Sequence, residues 1–155
     1  MSNDFEFFSA TDHPALLVLR TPELQTAGEA ALAELGYKTR AIQSHAEFPA
    51  TFSSVLYEIV LIDQLFESAS PDENYALHLL QEMPMPRRRH CTVFLLGDSF
   101  ETLNPMQAFQ QSVHAVVNYA ELALLGQIVQ KVTADNTLFL HSYRDTADRL
   151  IKGQL

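Results

Sequence analysis

Asp63 closes the run EIVLID at 58 to 63, which puts one carboxylate at the carboxyl end of an apolar strand. A carboxylate there is one oxygen ligand of the several that a hard divalent cation needs. Two further charged residues stand where strands should end. Arg20 follows the run ALLVL at 15 to 19. Its guanidinium either forms a salt bridge with Asp63 across neighbouring strands or points to solvent while Asp63 caps a loop. Asp98 follows CTVFLL and Gly97, and either shares a weak cation site with Asp63 or caps the next turn.

Other chemistries find little support. The six histidines, His13, His45, His78, His90, His114 and His141, include no pair spaced for zinc on one helix face. The lone cysteine, Cys91, excludes an internal disulfide and a multi-cysteine zinc site, and its place at the start of an apolar run marks it as a small buried hydrophobe. Five glycines form neither GxGxxG nor GxxxxGK[ST], so nucleotide binding has no basis and no cofactor is expected. A net charge of −9 argues against bulk affinity for nucleic acid, which rests on neutralising phosphates. The basic cluster Arg87-Arg88-Arg89-His90 either meets an acidic partner or phosphate locally or is a solvated loop face. The amino-terminal MSNDFEFFSATDHP carries acids where a secretory signal carries bases, and no run approaches about 20 apolar residues, so a cytoplasmic chain without membrane association is expected.

Placing Asp63, Arg20 and Asp98 together requires a sheet whose strands all end at one edge. With 155 residues, 47% hydrophobic and 19% charged, the chain has the length and composition of one globular domain. Apolar runs at 15 to 19, 38 to 42, 58 to 62, 91 to 96 and 113 to 117 read as strands. Between them lie helical patterns: Leu24, Ala27, Ala31 and Leu35 after Thr21-Pro22; a short or late helix around Pro49; Tyr75, Leu79 and Leu80 before Met83-Pro84-Met85-Pro86; Met106 and Phe109 after Asn104-Pro105; and Glu121 to Val132. Strands alternating with helices pair in parallel through right-handed crossovers, which predicts a five-stranded doubly wound α/β sheet of order 2-1-3-4-5. Residues 1–14 read as an extension, 15–132 as the domain, and 133–155 as a further amphipathic helix carrying Leu138, Phe139, Tyr143, Ala147, Leu150 and Ile151. Met83, Met85, Met106, Phe100 and Phe109 pack in the core or form an adaptable contact surface.

From Ala15 to Val132 this pattern resembles the response-regulator receiver family, the CheY-like domains. PELQTAGEAALAELGYKTRAIQS is similar to their first helix and second strand, and EIVLID to their phospho-acceptor strand. The resemblance implies a magnesium ion held by Asp63 and by two acids after the first strand, but Leu19 and Arg20 stand there. It implies a hydroxyl after the fourth strand, where Gly97 and Asp98 stand, and a lysine after the fifth, where Asn118 or Tyr119 stands. The chain therefore resembles a pseudo-receiver, and MPMPRRRH is similar to a stretch of bacterial pseudo-receivers that accompany a zinc ribbon, a ribbon for which one cysteine does not suffice. The expectation is a non-enzymatic interaction module with a protein partner, including a homodimer through the fourth-to-fifth helix face or the C-terminal helix. Two alternatives stay open: an atypical receiver phosphorylated on Asp63, and a flavodoxin-like binder of a small molecule at the strand carboxyl ends.

Overall fold

A computed structural model describes residues 7–151 and 153. Short apolar runs separated by helices fold into β1 (Pro14–Val18), β2 (Lys38–Ala41), β3 (Ile59–Asp63), β4 (Thr92–Gly97) and β5 (Ala115–Asn118). Their order is β2-β1-β3-β4-β5, and every pairing is parallel, as expected from the crossovers. β1, β3 and β4 are buried throughout, whereas β2 is the more polar, partly exposed edge. The register pairs Val18 with Ile62, Asp63 with Leu96, and Gly97 with Asn118, so the residues just past each strand share one edge.

Helices cover the sheet: α1 (Pro22–Glu34), α2 (Phe48–Ser54), α3 (Tyr75–Gln81), α4 (Pro105–Gln110) and α5 (Leu125–Ile151), besides a short turn described below. Thr21 caps α1 by accepting from the Leu24 N–H at 3.3 Å, and Gly36 follows it at a φ of +90°, which a residue with a Cβ rarely adopts. Alternation along each strand sends side chains into two apolar layers. Leu16, Val18, Val60, Ile62 and Leu95 pack with Phe48 of α2 and Leu77 and Leu80 of α3; Leu17, Leu61, Phe94 and Val117 pack with Leu32 of α1 and Leu125 and Val129 of α5.

Three expectations are corrected. The helix expected over 121 to 132 and the separate terminal helix are one element: a 3-10 segment, Tyr119–Leu124, leads into an α5 that continues unbroken past Val132, because no glycine or proline stands between Val132 and Ile151. Lys152, Gln154 and Leu155 of the expected extension, and the Tyr143 side chain, lie outside the described residues. The amino-terminal boundary also shifts. Pro14 opens β1, and Phe8 is buried edge-on against Tyr57 with ring centroids 5.8 Å apart, so residues 8–14 pack with the domain while 1–6 lie outside the described residues.

The basic cluster is not a solvated loop. Met85–Arg88 forms one helical turn, with Pro86 in the first turn where its missing N–H costs nothing. From it Arg87 stacks on Phe52 with 4.2 Å to the ring centroid and donates to the carbonyls of Phe52, at 2.6 Å, and Val55, at 3.3 Å. Arg88 donates to the carbonyls of Leu80, Gln81 and Ser112. These carbonyls lie in or just past the last turns of α2, α3 and α4, whose unpaired C=O groups carry the negative end of the helix dipole. Two guanidinium groups thus tie three helix ends together. Among the methionines and phenylalanines, Met83 and Phe100 are buried, whereas Met85, Met106 and Phe109 are exposed.

Candidate functional site

Asp63 is fully buried at the end of β3, so its side-chain oxygens need partners within the fold. The Leu65 N–H donates to its Oδ1 at 3.0 Å, and the Tyr119 hydroxyl donates to the same oxygen. Arg20 brings its Nε to 3.5 Å from Oδ2, an ion pair longer than a hydrogen bond, and among the described residues Oδ2 has no hydrogen-bond donor. The guanidinium also lies 5.9 Å from the centroid of the Tyr119 ring. Burial first, and then the bond to Asp63, hold the Tyr119 phenol above its usual range, so it is a hydroxyl donor and not a phenolate.

The structure therefore brings Asp63, Arg20 and Tyr119 together and disperses the other expected positions. Leu19 is buried in the apolar layer beneath α1 and contributes only its backbone, whose carbonyl accepts from Gln25 at 3.3 Å. Asp98 is exposed, and its Oδ1 accepts from the Gln64 side-chain amide at 3.4 Å. Asn118 donates to the carbonyls of Asp98 and Phe100 and accepts from the Ala120 N–H, so it closes the β5 loop. Gly97 is where Gln64 crosses over. A Cβ there would stand 2.4 Å from Gln64 Nε2 and 2.8 Å from Phe100 Cε2, so a hydroxyl-bearing side chain cannot enter without displacing both.

Two positioning residues escape a reading of the sequence. Asn74, fully buried, donates to the carbonyls of Asp63, at 2.9 Å, and Gln64, at 3.0 Å, while its Oδ1 caps α3 at the Leu77 N–H. Its cue was an asparagine directly before the helical run YALHLL. His45 accepts from the Ala76 N–H through Nδ1 at 3.3 Å, and its own backbone N–H donates to Glu67, a residue at a φ of +48° in the loop after β3. The β3–α3 loop is thus held from both sides.

No protein-family model and no curated protein matches the chain. Solved structures do. The receiver domain of a signal-transduction histidine kinase from Syntrophus aciditrophicus is similar at a TM-score of 0.61 and 16% identity, over 79% of this chain and 91% of its own. The receiver domain of the sensor histidine kinase PA1611 from Pseudomonas aeruginosa, described with magnesium coordinated in its active-site cleft, aligns at a TM-score of 0.58 and 20% identity, over 78% of this chain and 97% of its own. The fold is that of a CheY-like receiver domain. A fusion of residues 181–211 of the yeast Spc42 trimeric coiled coil reaches further, covering 95% of this chain and 94% of its own at a TM-score of 0.62 and 16% identity.

The residues at this receiver fold's Asp63 do not fit a magnesium ion. Six oxygen ligands in near-octahedral array are what that ion requires. Around Asp63 stand one carboxylate, a phenol that donates to it, and a guanidinium facing its remaining oxygen. Among the described residues no group of three or more His, Cys, Asp or Glu side chains is placed to hold a metal.

Proposed function

We propose that this chain is a signalling module on a receiver scaffold that acts through protein contact and not through magnesium-dependent phosphorylation of Asp63. One observation carries the reading: the buried carboxylate is already engaged by Arg20 and Tyr119, so the positive charge that a cation would supply belongs to the protein. In-line attack on phosphorus also needs an accessible, desolvated oxygen and a cation to gather the charge of the incoming phosphoryl group. Here the remaining oxygen faces Arg20. No catalytic residue is assigned.

Contact surfaces lie away from this pocket. On α4, Met106 and Phe109 are exposed, and the outer half of α5 exposes Leu138, Phe139, Leu150 and Ile151. Backbone amide spectra recorded during a magnesium chloride titration test the site. The account expects no saturable shift at Leu65, whose N–H reports on Asp63 Oδ1; a saturating shift there would refute it.

A further inference from the structure

We infer that a belt of side-chain amides locks the loops at the carboxyl edge of the sheet in one conformation, so that the exposed face of α4 is held in a single pose. The lock rests on the contact reading above only for its use, since an unswitched surface suits a module that binds without a phosphoryl signal. Its test is separate from the chemistry of Asp63.

Loops are ordinarily the least stable parts of a fold, because their backbone groups bond to water and open at little cost. Here those groups bond to the neighbouring loop instead. Between β3 and α3, the fully buried Asn74 holds the carbonyls of Asp63 and Gln64 and caps α3. The Gln64 N–H donates to the Leu96 carbonyl at 2.9 Å, and its buried side chain passes over Gly97 to donate to Asp98. The loop from β4 to α4 is tied in turn to β5. Asn118 donates from its side chain to the carbonyls of Asp98, at 3.2 Å, and Phe100, at 2.8 Å, and from its backbone to the Thr102 hydroxyl at 2.9 Å. The Leu103 N–H donates to the Val116 carbonyl at 2.9 Å, and Phe100 is buried in the core. Asn74, Gln64 and Asn118 thus join one loop to the next, and as carboxamides they carry no charge to titrate or to be screened by salt.

Backbone conformation gives an independent sign of the same lock. Glu67 in the first loop and Leu103 in the second stand at φ values of +48° and +65°, a region that residues with a Cβ keep only where their surroundings over-determine the chain. Glu67 is fixed by its carboxylate, which accepts from the His45 N–H at 2.6 Å. Leu103 is fixed by its bond to Val116 and by packing against the apolar layer under α5. Asn104 follows directly and caps α4 by accepting from the Gln107 N–H at 3.0 Å, while the Gln107 side chain accepts from the Glu101 N–H at 2.7 Å. The entry of α4 is therefore set by β5, and the exposed Met106 and Phe109 inherit that pose.

Relaxation dispersion of the backbone amides of the full chain should be flat at Leu65, Glu101, Leu103, Met106 and Asn118, the signature of no loop rearrangement on the microsecond-to-millisecond scale. In hydrogen exchange the Leu103 and Asn118 N–H groups should be protected to within about a hundredfold of the central strand β3. Asn118→Ala removes its side-chain bonds to Asp98, Phe100 and Ala120, and should speed exchange at Leu103 and Ala120 at least about tenfold and bring dispersion to Met106, while β1 and β3 keep their rates. Thr102→Val removes only the acceptor of the Asn118 N–H and should speed exchange at Asn118, which keeps the test decisive where Asn118→Ala does not fold. Dispersion at these loops in the wild type, or exchange in both variants equal to that of the wild type, would overturn the lock. A magnesium chloride titration separates it from the reading of Asp63: a saturable shift confined to Leu65 refutes that reading and leaves the lock standing, whereas wild-type dispersion with no magnesium response does the reverse.

Discussion

Removing one side chain at Asp63 exposes how much the site depends on its partners. Arg20→Ala leaves the fully buried carboxylate without its cation; because Arg20 is itself half exposed, the expected loss is about 2 kcal/mol, below the range for a fully buried pair, as read from urea unfolding. Tyr119→Phe takes away the hydroxyl donor and should cost about 1–2 kcal/mol by the same measurement. Gly97→Ser is expected to destabilise by about 1–3 kcal/mol, because its Cβ meets Gln64 and Phe100, and trimming the obstacle with Gln64→Ala should recover part of that loss. The Arg20–Asp63 pair was legible in the sequence, since both residues end neighbouring strands of a sheet whose order could be deduced. Tyr119 was legible only as the absence of a lysine. Nothing local announces that a hydroxyl 56 residues away will turn inward to bond Asp63.

Among the elements, the helix ends are where charge is spent. Arg87 joins two carbonyls and a phenylalanine ring, a combination that requires a planar fork, so Arg87→Ala should cost about 1–3 kcal/mol and Arg87→Lys should recover little of it. Equal stability of the Lys variant and the wild type in urea would show that the charge alone suffices. Strand positions were readable within a residue or two because runs such as ALLVL and EIVLID are long, apolar and punctuated. The clamp was not readable: an arginine run in a proline-rich connection has the same local pattern whether it faces water or three carbonyl clusters brought together by the fold. Continuity of α5 was hidden similarly. Its inner and outer halves differ in what covers them, not in propensity.

For the whole molecule, stability should depend on pH through His114. Burial first, and then the nearby Arg88 charge, lower its pKa to about 4, while its Nδ1 accepts from the Val93 N–H at 3.0 Å. Between pH 6.5 and about 4 the unfolded chain binds a proton that the folded chain does not, so this contribution is complete above pH 6.5 and falls by up to about 3 kcal/mol on acidification. His114→Gln should flatten the pH dependence of the urea midpoint over that window; an unchanged slope would mean that His114 protonates freely in the fold. The central claim concerns Asp63, and intact mass after incubation with acetyl phosphate and magnesium tests it most directly. The account predicts the unmodified mass for the wild type, with no phosphoryl adduct, just as for Asp63→Asn. A phosphoryl adduct on the wild type that disappears in Asp63→Asn would contradict it.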